Sequence, residues 1–151
     1  MEQGDRRRDE ILRLPGVRGF WSGSLDAVEG PFDLVSVVHV LEHVPEPVPF
    51  LRRLRALLRP DGLLLVQVPD AVANPFDYLV ADHCSHFAPD RLGRLVRDVG
   101  FDPIILSTDW VPKETACVAR PLAAEPAPGP AFAVDATGPR KRGAWLEAVV
   151  E

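Results

Sequence analysis

Two short stretches of this 151-residue chain concentrate the residue types that move protons. The first is His39-Val40-Leu41-Glu42-His43 and the second is Asp82-His83-Cys84-Ser85-His86-Phe87; together they hold all four histidines. In the second stretch an imidazole, which titrates at ~6.5 in water, directly follows a carboxylate, a pairing suited to general base work. His83 is therefore the candidate base and Asp82 its partner, with His86 further along the same pocket. Glu42 and His43 are candidate pocket residues. A plainer reading of each pair stands beside these. Glu42 could brace the loop that follows it while His43 packs beneath, and His83 and His86 could simply anchor their loop to the helix opening at Pro89.

Metal chemistry fits these residues less well. His39, Glu42 and His43 match the H-x-x-E-H pattern of one zinc protease group. That chemistry needs both histidines one turn apart on a helix, whereas a Val-rich run leads into His39 and Pro45 and Pro47 follow at once. A strand ending in a loop is the better reading. A site on His83, Cys84 and His86 has no ligand pair elsewhere to complete it, so no metal is expected.

The elements that must position these groups can be read from the apolar pattern. Residues 32–40 form a continuous Val-rich run, which suits a strand covered on both faces, and the polar residues gather where it ends. In open parallel sheets ligands bind at that end. Pro45, Pro47 and Pro49 then lead into a helix over residues 48–58, with Phe50, Leu51, Leu54, Leu57 and Leu58 at helical spacing and Arg52, Arg53 and Arg55 opposite. Pro60, Asp61 and Gly62 end it, and residues 62–68 make the next buried strand. Strand, helix, strand is a βαβ unit. Residues 71–88 are a long connection, a length more typical of a functional loop or lid than of a simple link. Pro89 opens a helix with Leu92, Leu95, Val96 and Val99 inward, closed by Gly100. Residues 101–106 and 115–120 are two further strands, joined by a connection long enough for an antiparallel return. Upstream, residues 5–14 carry a short helix, and residues 17–21, with Val17, Phe20 and Trp21, make a short strand.

Composition narrows the classes. A hydrophobic share of 46% and a charged share of 26% describe an ordinary globular domain. The formal charge of −5 argues against nucleic acid, because phosphate binding needs a basic surface. Cys84 and Cys117, far apart and outside any CxxC pair, read as reduced thiols. No apolar run reaches the ~20 residues that span a bilayer. The start, from Met1 to Arg6, lacks a signal peptide's apolar core, so a cytoplasmic protein without membrane attachment is expected. From Pro121 to Pro139 the chain is rich in Ala, Pro and Gly and reads as a linker. Residues 140–151 begin a further helical segment with Trp145, Leu146, Val149 and Val150.

Taken in order, several of these features resemble one family. Phe32-Asp33-Leu34-Val35, then Val40-Leu41-Glu42-His43-Val44-Pro45, then the helix to Pro60, then Asp61-Gly62-Leu63-Leu64-Leu65-Val66, then Gly100-Phe101, look like the second half of a class I S-adenosylmethionine-dependent methyltransferase. The similarity covers residues 10 to 120. It implies an α/β, Rossmann-like sheet of strand order 3-2-1-4-5-7-6, the last strand antiparallel. Residues 17–21 would then be strand 3, residues 32–40 strand 4, residues 62–68 strand 5, and the final two strands 6 and 7. The resemblance places Ser24 and Leu25 beside the adenine of S-adenosylmethionine, and His39 and Val40 along its methionine end. Many members carry an acid where Ser24 stands. Sugar C-methyltransferases carry an acid–His pair ahead of a Ser-aromatic-Phe stretch, which Asp82-His83 resembles.

The family's glycine-rich loop after strand 1, and the acid after strand 2 that takes the ribose hydroxyls, have no counterpart here. Residues 1–120 thus read as a partial methyltransferase domain lacking strands 1 and 2. The implied reaction is methyl transfer to a small-molecule carbon, oxygen or nitrogen centre, and S-adenosylmethionine binding by this chain alone should be weak. The rival reading is a non-catalytic remnant acting as an interaction or structural piece. In either case strand 4 becomes a sheet edge, which predicts self-association or direct pairing with residues 17–21.

Overall fold

The structure, a computed structural model, describes residues 7–124. Helix α1 (Arg8–Leu12) is a single turn at the surface. Four strands follow: β1 (Phe32–Val38), β2 (Leu58–Pro69), β3 (Phe101–Ser107) and β4 (Glu114–Pro121). Two helices cover them, α2 (Pro47–Leu57) and α3 (Pro89–Asp98). Their sheet has the order β1-β2-β4-β3. β1 and β2 run parallel, while β4 is antiparallel to both β2 and β3. This is the expected 4-5-7-6 half of the sheet, with the last strand inserted antiparallel between its neighbours.

The helices form where the sequence pattern places them, for identifiable reasons. α2 begins on Pro47, whose missing N–H costs nothing in a first turn. Its buried residues Leu51, Leu54 and Leu57 recur every three positions and press on β2. α3 begins on Pro89 and buries Leu92 and Val96, with Val99 just beyond its end. These meet Leu64, Val66 and Val68 of β2 and Phe101 of β3 in one core. Each such side chain stabilises the fold by roughly 1.5–3 kcal/mol relative to exposure. The turn expected at Pro60 to Gly62 is instead absorbed into β2: the register with β1 jumps from Phe32–Leu58 to Leu34–Leu63, so the extra residues bulge without breaking the strand.

Two expectations fail. Residues 17–21 are not a strand. In the family order strand 3 pairs with strand 2, and among the described residues no such neighbour exists, nor does the segment pair with β1. A β segment without a ladder leaves its backbone groups unpaired and does not persist as a strand. Likewise β1 is not covered on both faces. Val37 is buried, whereas Leu34 is 57% and Val38 44% exposed. The Val-rich run is apolar on both sides, but only its inner face is packed among the described residues.

Two arginines close the domain. Arg53 donates to the carbonyls of Val28 (2.9 Å) and Leu25 (3.3 Å), fixing the 3-10 turn Leu25–Ala27 against α2. Arg55 donates to the carbonyls of Gly100 (2.9 Å) and Leu122 (2.6 Å). β4 itself runs to Pro121. The rest of the expected linker from residue 125, and the helical segment over 140–151, lie outside the described residues. No helix among the described residues is long and apolar enough to cross a membrane.

Candidate functional site

Parallel β1 and β2 bring their carboxyl ends together, and the backbone N–H of His39 donates to the Gln67 carbonyl at 3.0 Å. At His39 the chain leaves the strand in the left-handed region, φ 50°. It turns into the short 3-10 turn Leu41–His43, where Leu41 and Glu42 are buried. After β2, residues 71–88 fold back across the same end. An isolated bridge pairs Asp70 with Phe87, and the buried Asp70 carboxylate accepts from the N–H groups of Val72 and Ala73 at 2.9 and 3.2 Å. The carbonyl of Glu42 accepts from the N–H groups of both Cys84 and Ser85, at 2.7 and 3.1 Å. The two histidine-bearing stretches are therefore joined directly.

Inside this junction the partnerships differ from the order of the sequence. The carboxylate held against His83 is Asp77, whose Oδ1 lies 2.7 Å from His83 Nδ1, while its Oδ2 lies 2.6 Å from His86 Nδ1. Asp77 is only 2% exposed. Asp82 turns the other way, to His43: its carbonyl lies 3.0 Å and its Oδ2 3.4 Å from His43 Nδ1. The reason is the 3-10 turn Pro75–Leu79, which directs Asp77 inward while Asp82 stays at the surface. The rings of His43 and His83 meet edge to face, centroids 4.7 Å apart, and Tyr78 lies against His86 at 4.5 Å. Asp77 is the residue the sequence hid. Its signal was a carboxylate inside an apolar run, and the structure inverts that run: Phe76 and Leu79 are 71% and 78% exposed while the acid is buried.

His39 sets a ring nitrogen against each of two carboxylates, Nδ1 at 3.2 Å from Glu42 Oε1 and Nε2 at 3.0 Å from Glu114 Oε1. Gln67 donates to the other oxygen of Glu114, so the network ties β1, β2 and β4 together at this end. Glu42 is 1% exposed and its Oε2 is buried with no hydrogen-bond partner among the described residues. Ser24 serves its own turn: its hydroxyl lies 2.8 Å from Asp26 Oδ2 and accepts from the Asp26 N–H at 3.1 Å. An acidic oxygen thus stands beside Ser24 although the residue itself is neutral. Leu25 and Val40 pack against the core.

Two trios, Glu42–His43–His83 and Asp77–His83–His86, bring ligand-type atoms within 4.8 Å of one another, a spacing at which a metal ion could be held. Cys84 belongs to neither; its thiol faces the His43 carbonyl at 3.6 Å. The arrangement as it stands is a buried carboxylate gripping two imidazoles, at the carboxyl end of the parallel strands.

Comparison with known proteins agrees with the fold. A family profile described as "Methyltransferase domain" matches residues 5–106. The ubiquinone biosynthesis O-methyltransferase of Nitrosospira multiformis is 31% identical over 94 residues, covering 50% of this chain and 38% of that protein. The one from Cereibacter sphaeroides is 30% identical over 97 residues, covering 54% and 38%. The chain therefore spans well under half the length of these relatives. Among solved structures, LaPhzM superposes with a TM-score of 0.61 at 17% identity, over 77% of this chain and 38% of that one. A methyltransferase from Thermotoga maritima described as a possible histamine N-methyltransferase gives 0.57 at 17% identity, over 76% and 69%. CalH, solved with S-adenosylhomocysteine, gives 0.52 at 24%, over 62% and 31%. With the profile matching more than half of the chain and the sheet running in the 4-5-7-6 order, this chain belongs to the methyltransferase domain family, in the class I S-adenosylmethionine-dependent architecture.

Proposed function

We propose that the chain is part of an S-adenosylmethionine-dependent methyltransferase acting on a carbon, oxygen or nitrogen centre of a small molecule. The observation that carries this is the placement of His83, gripped by buried Asp77, at the carboxyl end of the sheet beside Glu42 and His43. S-adenosylmethionine, when bound, supplies an electrophilic methyl group on a sulfonium. Ser24, Leu25, His39 and Val40 would line its near side. The fit is to one side only, since β1 is the edge of the sheet among the described residues and no glycine-rich turn faces it. His83 would take the proton that the acceptor atom loses as it gains the methyl group, with Glu42, His43 and His86 shaping the acceptor pocket. The net charge of −5 weighs against nucleic acid as the acceptor.

A second reading, a non-catalytic piece that works by association, is favoured by the exposed apolar edge of β1. Amide NMR of the chain titrated with S-adenosylmethionine separates the two. Methyl transfer predicts shifts confined to residues 24–25 and 39–43, with a dissociation constant no tighter than ~1 mM, or about 4 kcal/mol of binding. Absence of any shift at millimolar cofactor supports the association reading. Micromolar affinity would overturn the inference that this chain supplies only one wall.

A further inference from the structure

Asp77 holds two imidazoles at once, and that geometry dictates where their protons sit. A carboxylate only accepts hydrogen bonds, and a neutral imidazole carries one N–H. Both contacts run to Nδ1, from His83 at 2.7 Å and from His86 at 2.6 Å. For both to be hydrogen bonds, each Nδ1 must carry the proton, the reverse of the Nε2–H form that a free histidine side chain prefers. We propose that Asp77 is a positioning residue that locks His83 and His86 in the Nδ1–H tautomer and so leaves Nε2 of His83 as the atom that accepts a proton. The inference rests on the reading of His83 as the base. It explains why a carboxylate is buried under a loop whose apolar residues face outward. The free energy of desolvating Asp77 is offset by two charge-assisted bonds, which orient two rings together.

The distances favour hydrogen bonds over a metal in the same place. Two ligand atoms at right angles on a zinc ion would stand about 2.9 Å apart, given metal–ligand distances of ~2.0–2.1 Å, and wider in a tetrahedron. Both contacts are shorter than that. His83 is also held against rotation, with the His43 ring edge-on at 4.7 Å.

The test is long-range 1H–15N NMR of the imidazoles in the full, uniformly labelled chain at alkaline pH. His83 and His86 are expected to show a protonated Nδ1 and a lone-pair Nε2. The variant D77N nearly preserves shape but offers one carbonyl oxygen and one NH2 group. One ring should then keep Nδ1–H while the other switches to Nε2–H and accepts at Nδ1. A backbone amide spectrum of unchanged dispersion confirms that the variant folds, and if it does not, the wild-type tautomers decide alone. The proposal is overturned by an Nε2–H tautomer on either ring of the wild type, by a D77N spectrum in which both rings keep Nδ1–H, or by stoichiometric capture of added Zn2+ at both Nδ1 atoms. Neither cofactor nor acceptor is needed, so a wrong tautomer leaves the methyl-transfer reading standing and an absence of methyl transfer leaves the tautomer result standing.

Discussion

Asp77 and His83 meet at 2.7 Å, six positions apart in sequence, with the carboxylate 2% and the imidazole 10% exposed. A hydrogen bond to a charged group is worth about 1.5–3 kcal/mol, and Asp77 makes two. Replacing it with alanine leaves two shielded ring nitrogens without partners, so Asp77→Ala should cost about 2–4 kcal/mol. Urea unfolding monitored by circular dichroism, with an unchanged slope, is the check. A change below about 0.5 kcal/mol, the usual size for surface substitutions, would show that the grip contributes little to folding.

Gly100 offers a local test of how α3 is joined to β3. It takes φ +91°, and a Cβ there would sit 2.9 Å from Arg55 Nε, the atom that donates to its own carbonyl. Gly100→Ala combines left-handed strain, about 1–2 kcal/mol, with displacement of Arg55. We expect a fall in the thermal midpoint larger than that of Arg55→Lys. An Ala variant as stable as the wild type would mean that Arg55 moves aside freely.

Cys117 lies in β4 within the core, and burial pushes its thiol from 9.0 up to about 12. Because the folded state holds this proton more tightly than the unfolded state, its contribution is intact below pH 9.0. It is lost as pH rises from there towards about 12. The measurement is the thermal midpoint from pH 8 to 11 for the wild type and Cys117→Ala: the wild type should fall more steeply, and parallel curves would refute the effect. Exposed Cys84 should react with thiol reagents in the folded protein while Cys117 does not.

The bare edge of β1 predicts association. Leu34 and Val38 are exposed on β1, and among the described residues no strand pairs with its outer side. A lysine at either position blunts such an edge. Light scattering over a range of concentrations should show larger species for the wild type than for Leu34→Lys. A wild type that stays monomeric at all concentrations would remove the association reading.

What the sequence disclosed depended on whether a residue's partner was near in the chain or set by the fold. α2 was readable to within one residue because Leu51, Leu54 and Leu57 repeat at the helical period and Pro47 marks the start. β2 to β4 were readable because apolar runs between turn residues have few other solutions. Residues 17–21 misled because a strand needs a ladder, and local pattern carries no information about whether one is present. The site divided similarly. That Asp82-His83 and Glu42-His43 share one end of the sheet followed from topology. That Asp77, rather than Asp82, grips His83 depended on a single 3-10 turn, whose direction the residues between Pro75 and Leu79 do not announce.

Glu42 does two things at one position. Its carbonyl carries the loop through Cys84 and Ser85, while its buried Oε2 has no hydrogen-bond partner among the described residues. The anchor of the loop and an uncompensated buried oxygen therefore belong to the same residue, so a substitution that relieves the one also disturbs the other.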